Sequence, residues 1–180
     1  MLSEAALAKI EEAKRRYPDP RSALMPALWI AQEECGGWLP PEALADVARA
    51  MELEPADVQS VASFYSMYHK VPVGRFVIEV CHNISCTLRG SERIFRHLEE
   101  RWGLRPGETT ADGLFTLKGV ECLAACGGAP CMQINSRYYE DLTPERVDEI
   151  LTGYREHALH GAPIPPPQEQ PRPVPDGATG

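Results

Sequence analysis

Through the first seventy residues, apolar side chains recur every three or four positions. Leu7, Ile10 and Ala13 make one stripe, which predicts a helix over residues 3–16 with Ser3 as its N-cap and Glu4 in its first turn. Tyr17-Pro18-Asp19-Pro20 breaks it. A second helix is predicted from Ser22 to Glu34, with Leu24, Leu28 and Ala31 on one face; Pro26 inside it demands a late start or a kink. A third opens on Pro41 and carries Leu44, Val47 and Ala48. A fourth opens on Pro55 and carries Val58, Val61, Ala62 and Tyr65. After Val71-Pro72-Val73-Gly74 the pattern changes. Arg75–Val80 and Leu114–Val120 are β-branched runs. Between them Ile94, Phe95, Leu98 and Trp102 stripe a helix over 89–102. Such a unit predicts two parallel strands joined by a right-handed crossover. Strands then follow over 130–135 and 138–141, joined by a turn, and Thr143-Pro144 opens a last helix with Val147, Ile150 and Leu151 inside.

The chain therefore divides into a helical bundle over 1–72, a strand-and-helix domain over 73–160 and a tail over 161–180, an α+β chain. Seven of the twenty tail residues are proline, so the tail is expected to be extended or disordered and to take no part in a core.

Composition narrows the function. A hydrophobic content of 43% supports a packed core, and the net charge of −8 argues against nucleic acid as a partner. The third and fourth helices have a helix-turn-helix spacing, but the acidic balance favours packing or docking over DNA. No apolar run is long enough to span a bilayer, and the charged start does not read as a signal peptide, so a cytoplasmic location is expected. No G-x-G-x-x-G, P-loop, nucleophilic triad or carboxylate pair is present, and His69, His97, His157 and His160 are scattered. The chain itself is expected to bind no nucleotide.

Chemistry concentrates in the cysteines. Cys81 and Cys86 form a C-x4-C pair, and Cys122 and Cys126 a C-x3-C pair, 35 residues on. Each pair follows a predicted strand. If the strands are parallel neighbours, both loops leave one edge of the sheet and four thiolates converge. A bridged pair of irons, each taking two cysteines, suits that layout; by spacing alone a structural zinc site suits it equally. Disulfides fit a reducing compartment poorly, and four of six cysteines in two short loops is not the distribution of inert thiols. Four-iron runs are absent, Arg89 stands where a plant-type third cysteine belongs, and His82 is the only histidine in the loops, one short of a Rieske centre. Cys35 and Cys131 are expected to be free thiols.

The runs VCHNISCTLRGS and ECLAACGGAP resemble the thioredoxin-like 2Fe–2S subunit of respiratory complex I, the NADH:quinone oxidoreductase. The resemblance extends roughly over residues 5–155 by order of elements. The order βαβ then ββα is that of thioredoxin, without its C-x-x-C dithiol, so thiol exchange is not implied. The resemblance implies a helical bundle followed by a thioredoxin-like 2Fe–2S ferredoxin domain with a four-stranded mixed sheet. It implies one 2Fe–2S cluster held by Cys81, Cys86, Cys122 and Cys126, no catalytic residue on the chain, and FMN and NADH bound only by a partner subunit. Single electrons would pass between that FMN and the cluster. Further iron–sulfur subunits, an indirect contact with the membrane and a peripheral place on its cytoplasmic side complete the expectation. Related subunits serve NAD-linked hydrogenases and formate dehydrogenases, which is the alternative; a zinc-stabilised interaction module is the alternative of another class. One departure stands out: the family more often has CLGAC where this chain has Ala124. Backbone N–H groups of His82–Ser85 and Leu123–Ala125 are expected to face the sulfurs, where they favour the added charge of reduction.

Overall fold

Ser3 caps the first helix as its sequence position dictates: its Oγ accepts from the Ala6 N–H at 3.2 Å. The structure is a computed structural model and describes residues 2–167. The chain separates into two compact units, Met1–Arg75 and a second from Phe76 onward.

The first unit holds α1 (Glu4–Lys14), α2 (Leu24–Glu34), α3 (Pro41–Met51) and α4 (Pro55–Phe64). A 3-10 turn over Pro20–Ala23 precedes α2, so Pro26 is only the third residue of that helix. Its missing N–H falls where no intrahelical acceptor exists, which resolves the proline as a late start. Ile10, Leu28, Ala31, Val47 and Val58 are wholly buried between the helices. Asp46 is buried with them, accepting from the Leu2 N–H at 2.7 Å and pairing with Arg49. That supplies the partners a buried carboxylate needs.

The second unit is built on β1 (Phe76–Cys81), the site-bearing strand. The sheet order is β2-β1-β3-β4, with β2 (Phe115–Val120) parallel to β1, β3 (Met132–Ile134) antiparallel to β1, and β4 (Arg137–Tyr139) antiparallel to β3. A central strand is covered on both faces, and five of the six residues of β1 are buried. α6 (Ser91–Trp102) makes the crossover, and α7 (Pro144–His160), capped by Thr143, follows β4. Ile78, Val80, Leu98, Phe115, Leu117, Ile150 and Leu151 form the core. One element was not expected: α5 (Ile84–Leu88), a short helix inside the first cysteine loop. Asn83 Oδ1 accepts from the Ile84 N–H at 2.7 Å and starts it; Gly90, at φ +96°, separates it from α6.

The beginning of the tail departs from expectation. Residues 161–167 have no regular secondary structure, but they lie on the second unit. Ile164 packs against its core. The Tyr139 hydroxyl donates to the Pro165 carbonyl at 2.8 Å and accepts from the Tyr154 hydroxyl at 3.0 Å. Arg137 and Arg146 donate to the carbonyls of Pro165 and Pro166. A Cβ on Gly153 would stand 2.3 Å from Pro165 Cγ, so the proline ring occupies the space that a bare glycine leaves on α7. A proline-rich segment has unpaired carbonyls, and here side-chain donors meet them. The expected tail residues 168–180 lie outside the described residues.

Candidate metal centre

The register between the parallel strands fixes the site. Cys81 stands opposite Val120, at the shared end of β1 and β2. Both cysteine loops therefore leave the sheet at one edge, and Cys122 follows β2 by two residues. On the other flank of β1, Val80 pairs with Met132, which brings Cys131 across from Cys81, whose N–H donates to the Cys131 carbonyl at 3.2 Å.

Each loop has its own local cause. In the first, α5 turns Cys86 inward, leaving it 1% exposed, while Ile84 and Leu88 stay 71% and 81% exposed. The Thr87 hydroxyl donates to the His82 carbonyl at 2.9 Å and closes the loop. In the second, the chain passes over Cys81: the Cys81 sulfur lies 3.7 Å from the Glu121 carbonyl oxygen, and Leu123 and Ala125 pack beside Cys81 and Cys86. Ala124 sits in the left-handed region at φ +59°. That turn aims its N–H at the Cys122 sulfur, 3.3 Å away. Cys126 opens a short 3-10 turn, Cys126–Gly128, and both Cys122 and Cys126 are exposed.

The thiols differ in electrostatics. Burial raises the Cys81 thiol, but the N–H groups of Asn83 and Leu123, together with the neighbouring thiols of Cys86 and Cys131, outweigh it, and its pKa falls below that of an ordinary cysteine. Burial pushes Cys86 up, against the lowering effect of the Cys131 N–H. Burial also drives the Cys131 thiol far up. The amides of Asn83, Leu123 and Ala124 come from the two segments expected to supply donors to sulfur.

Of the four predicted ligands the structure brings together the buried Cys81 and Cys86, while Cys122 and Cys126, on the loop after β2, are exposed and their sulfurs are not among those that lie within 4.8 Å of one another. Cys35 belongs to the other unit, packed beside its helical core. Cys131 is a free, buried thiol as expected, but its contact with the site was not foreseen: its sulfur lies 3.7 Å from that of Cys86, and the sulfurs of Cys81, Cys86 and Cys131 fall within 4.8 Å of one another. The signal was present. A strand returning antiparallel beside β1 must set the residue before it against the end of β1.

A soft, sulfur-only donor set with backbone N–H groups turned on the sulfurs fits a 2Fe–2S cluster, whose bridging and terminal sulfurs carry the negative charge.

Residues 10–155 match the family model described as thioredoxin-like [2Fe-2S] ferredoxin. The chain is 49% identical over 147 residues to a subunit of the NADH-quinone oxidoreductase of Rhizobium meliloti (strain 1021), a match covering 82% of this chain and 87% of that protein. It is 42% identical over 149 residues to NADH-quinone oxidoreductase subunit 2 of Thermus thermophilus, covering 81% and 82%. Among solved structures it is similar to an NAD+-reducing [NiFe]-hydrogenase in the H2-reduced state, with a TM-score of 0.64 and 26% identity over 73% of this chain. The chain spans 22% of that hydrogenase chain. With this family match over most of its length, and close relatives that it covers almost end to end, the chain belongs to the thioredoxin-like [2Fe-2S] ferredoxin family.

Proposed function

We propose that this chain is the electron-transfer subunit of an NADH:quinone oxidoreductase. In this reading Cys81, Cys86, Cys122 and Cys126 ligate one 2Fe–2S cluster, and FMN and NADH bind only to a partner subunit. The observation that carries the reading is extent. The match to the Rhizobium meliloti protein covers most of both chains, whereas the hydrogenase likeness covers 22% of a longer chain. A subunit of an NAD-linked hydrogenase or formate dehydrogenase is the second reading. When bound, the cluster supplies a store for one electron at a time.

The residues of the chain divide the remaining work. Asn83 and Leu123 present N–H groups to the Cys81 sulfur and favour negative charge there. β1, held between two neighbours, keeps Cys81 in place. α5 covers Cys86 from solvent and offers Ile84 and Leu88 outward. The exposed Cys122 and Cys126 leave the site open on the side where a donor must approach. The apolar pair on α5 beside that opening is the surface proposed for the flavin-bearing partner, because paired exposed apolar side chains need a cover. No helix among the described residues is long and apolar enough to cross a membrane. Contact with the bilayer through other subunits, on the cytoplasmic side, is part of the proposal.

The test is a comparison of two preparations. Purified alone, the full chain is expected to hold a cluster that dithionite reduces and NADH does not. Co-purified with its flavin-bearing partner, the cluster is expected to respond to NADH, read by the paramagnetic signal of the reduced form. Replacing any of the four proposed ligands by Ala is expected to remove that signal, and Cys35→Ala to leave it. NADH reduction of the flavin-free chain would sink the assignment, as would a full signal in Cys122→Ala or Cys126→Ala.

A further inference from the structure

Three sulfurs, those of Cys81, Cys86 and Cys131, lie within 4.8 Å of one another at this edge of the sheet. Cys131 is 1% exposed, and its sulfur is 3.7 Å from the sulfur of Cys86. Between two free thiols either sulfur can donate. Between a thiol and a metal-bound thiolate only one direction is left, since the ligand carries no proton.

We propose that Cys131 does not ligate iron but donates its S–H to the Cys86 sulfur, and so raises the reduction potential of the cluster. This rests on the ligand set proposed above. The geometry supports it in two ways. The residue is held immediately before β3, where its carbonyl accepts from Cys81 and its neighbour Met132 pairs with Val80. Its surroundings are also apolar: Cys81, Cys86 and Ala129 are buried with it, and Leu123 and Ala125 close the cluster. Buried in that pocket with its sulfur 3.7 Å from the sulfur of Cys86, the thiol is placed to donate to it. A donor to a ligand sulfur stabilises the extra negative charge of the reduced state more than the charge of the oxidised one. Removing it therefore disfavours reduction while leaving every iron–sulfur bond in place. Cys131 acts here through Cys86 and is a tuning residue.

The experiment uses the full chain with its cluster, as wild type and as Cys131→Ala, Cys131→Val and Cys131→Ser. Iron and sulfide content, the paramagnetic spectrum and the midpoint potential in a mediated titration are read for each. Ala and Val are expected to keep the wild-type iron content and to lower the reduction equilibrium about threefold to tenfold, tenfold being about 59 mV for one electron. Ser, which keeps a donor, is expected to lie above both. Val fills the space of the thiol, so it carries the comparison if the Ala chain does not fold. Full iron with an unchanged midpoint in Ala and Val would overturn the donor role alone. Iron loss in Ala and Val, with Cys122→Ala or Cys126→Ala retaining its cluster, would make Cys131 a ligand and overturn the ligand set with it.

Discussion

At the scale of single residues, Ala124 shows how far a sequence can be read. Its departure from the commoner glycine was visible, but only as an added methyl. The structure gives the substitution its physical meaning, because φ at this position is +59°. A residue with a Cβ is strained there by roughly 1–2 kcal/mol, and glycine is not. Ala124→Gly is expected to stabilise the second unit by about 0.5–1 kcal/mol after the greater freedom of glycine in the unfolded chain is set against the relief. Denaturant unfolding of the two proteins checks it; equal midpoints would mean the loop relaxes without cost. Cys131 marks the opposite limit. Its type and position were plain, but its neighbours depend on a pairing between strands fifty residues apart in sequence.

At the scale of elements, the parallel pair was legible because β-branched runs flank a 3.6-residue stripe, and that stripe cannot be satisfied in a strand. The bundle helices were legible from prolines at their first positions, as α3 and α4 bear out. α5 was not, since five residues are too few for a period to show. Nor was the seat of the tail. Gly153 lies mid-helix, where glycine costs about 0.5–1 kcal/mol relative to alanine, and nothing local in the sequence explains it. Pro165 does. Gly153→Ala should strengthen the helix by that amount while expelling the proline, so that the tail beyond His160 becomes several times more sensitive to limited proteolysis. Truncation after Gly161 removes the cover of Ile164 and the acceptor of Tyr139, and is expected to lower stability by about 1–2 kcal/mol. Unchanged cleavage in Gly153→Ala would show that the tail is held by its carbonyl contacts alone.

At the scale of the whole molecule, we propose that residues 73–167 form a domain able to fold without the bundle. All four proposed ligands, both strands that carry them and the core over them lie inside that range, and about 95 residues suffice for an independent core. The fragment should reconstitute the same iron content as the full chain, measured by iron and sulfide analysis. A fragment that folds, by its circular dichroism, but holds no iron would assign part of the site to the first unit.

Two of the four proposed ligands are fixed inside the sheet edge, and two stand in water: Cys81 and Cys86 are 3% and 1% exposed, whereas Cys122 and Cys126 are exposed. That difference sets an order of assembly. Iron and sulfide delivered to the folded apo-chain are expected to meet the outer pair first, since Leu123 and Ala125 of the second loop pack against the inner thiols. An alkylating reagent must travel the same route. In the apo-chain it should modify Cys122 and Cys126 early and Cys81, Cys86 and Cys131 late, as peptide mass spectrometry resolves. If all five react together, the edge opens as one piece, and the inner thiols are loaded from a state less folded than this one.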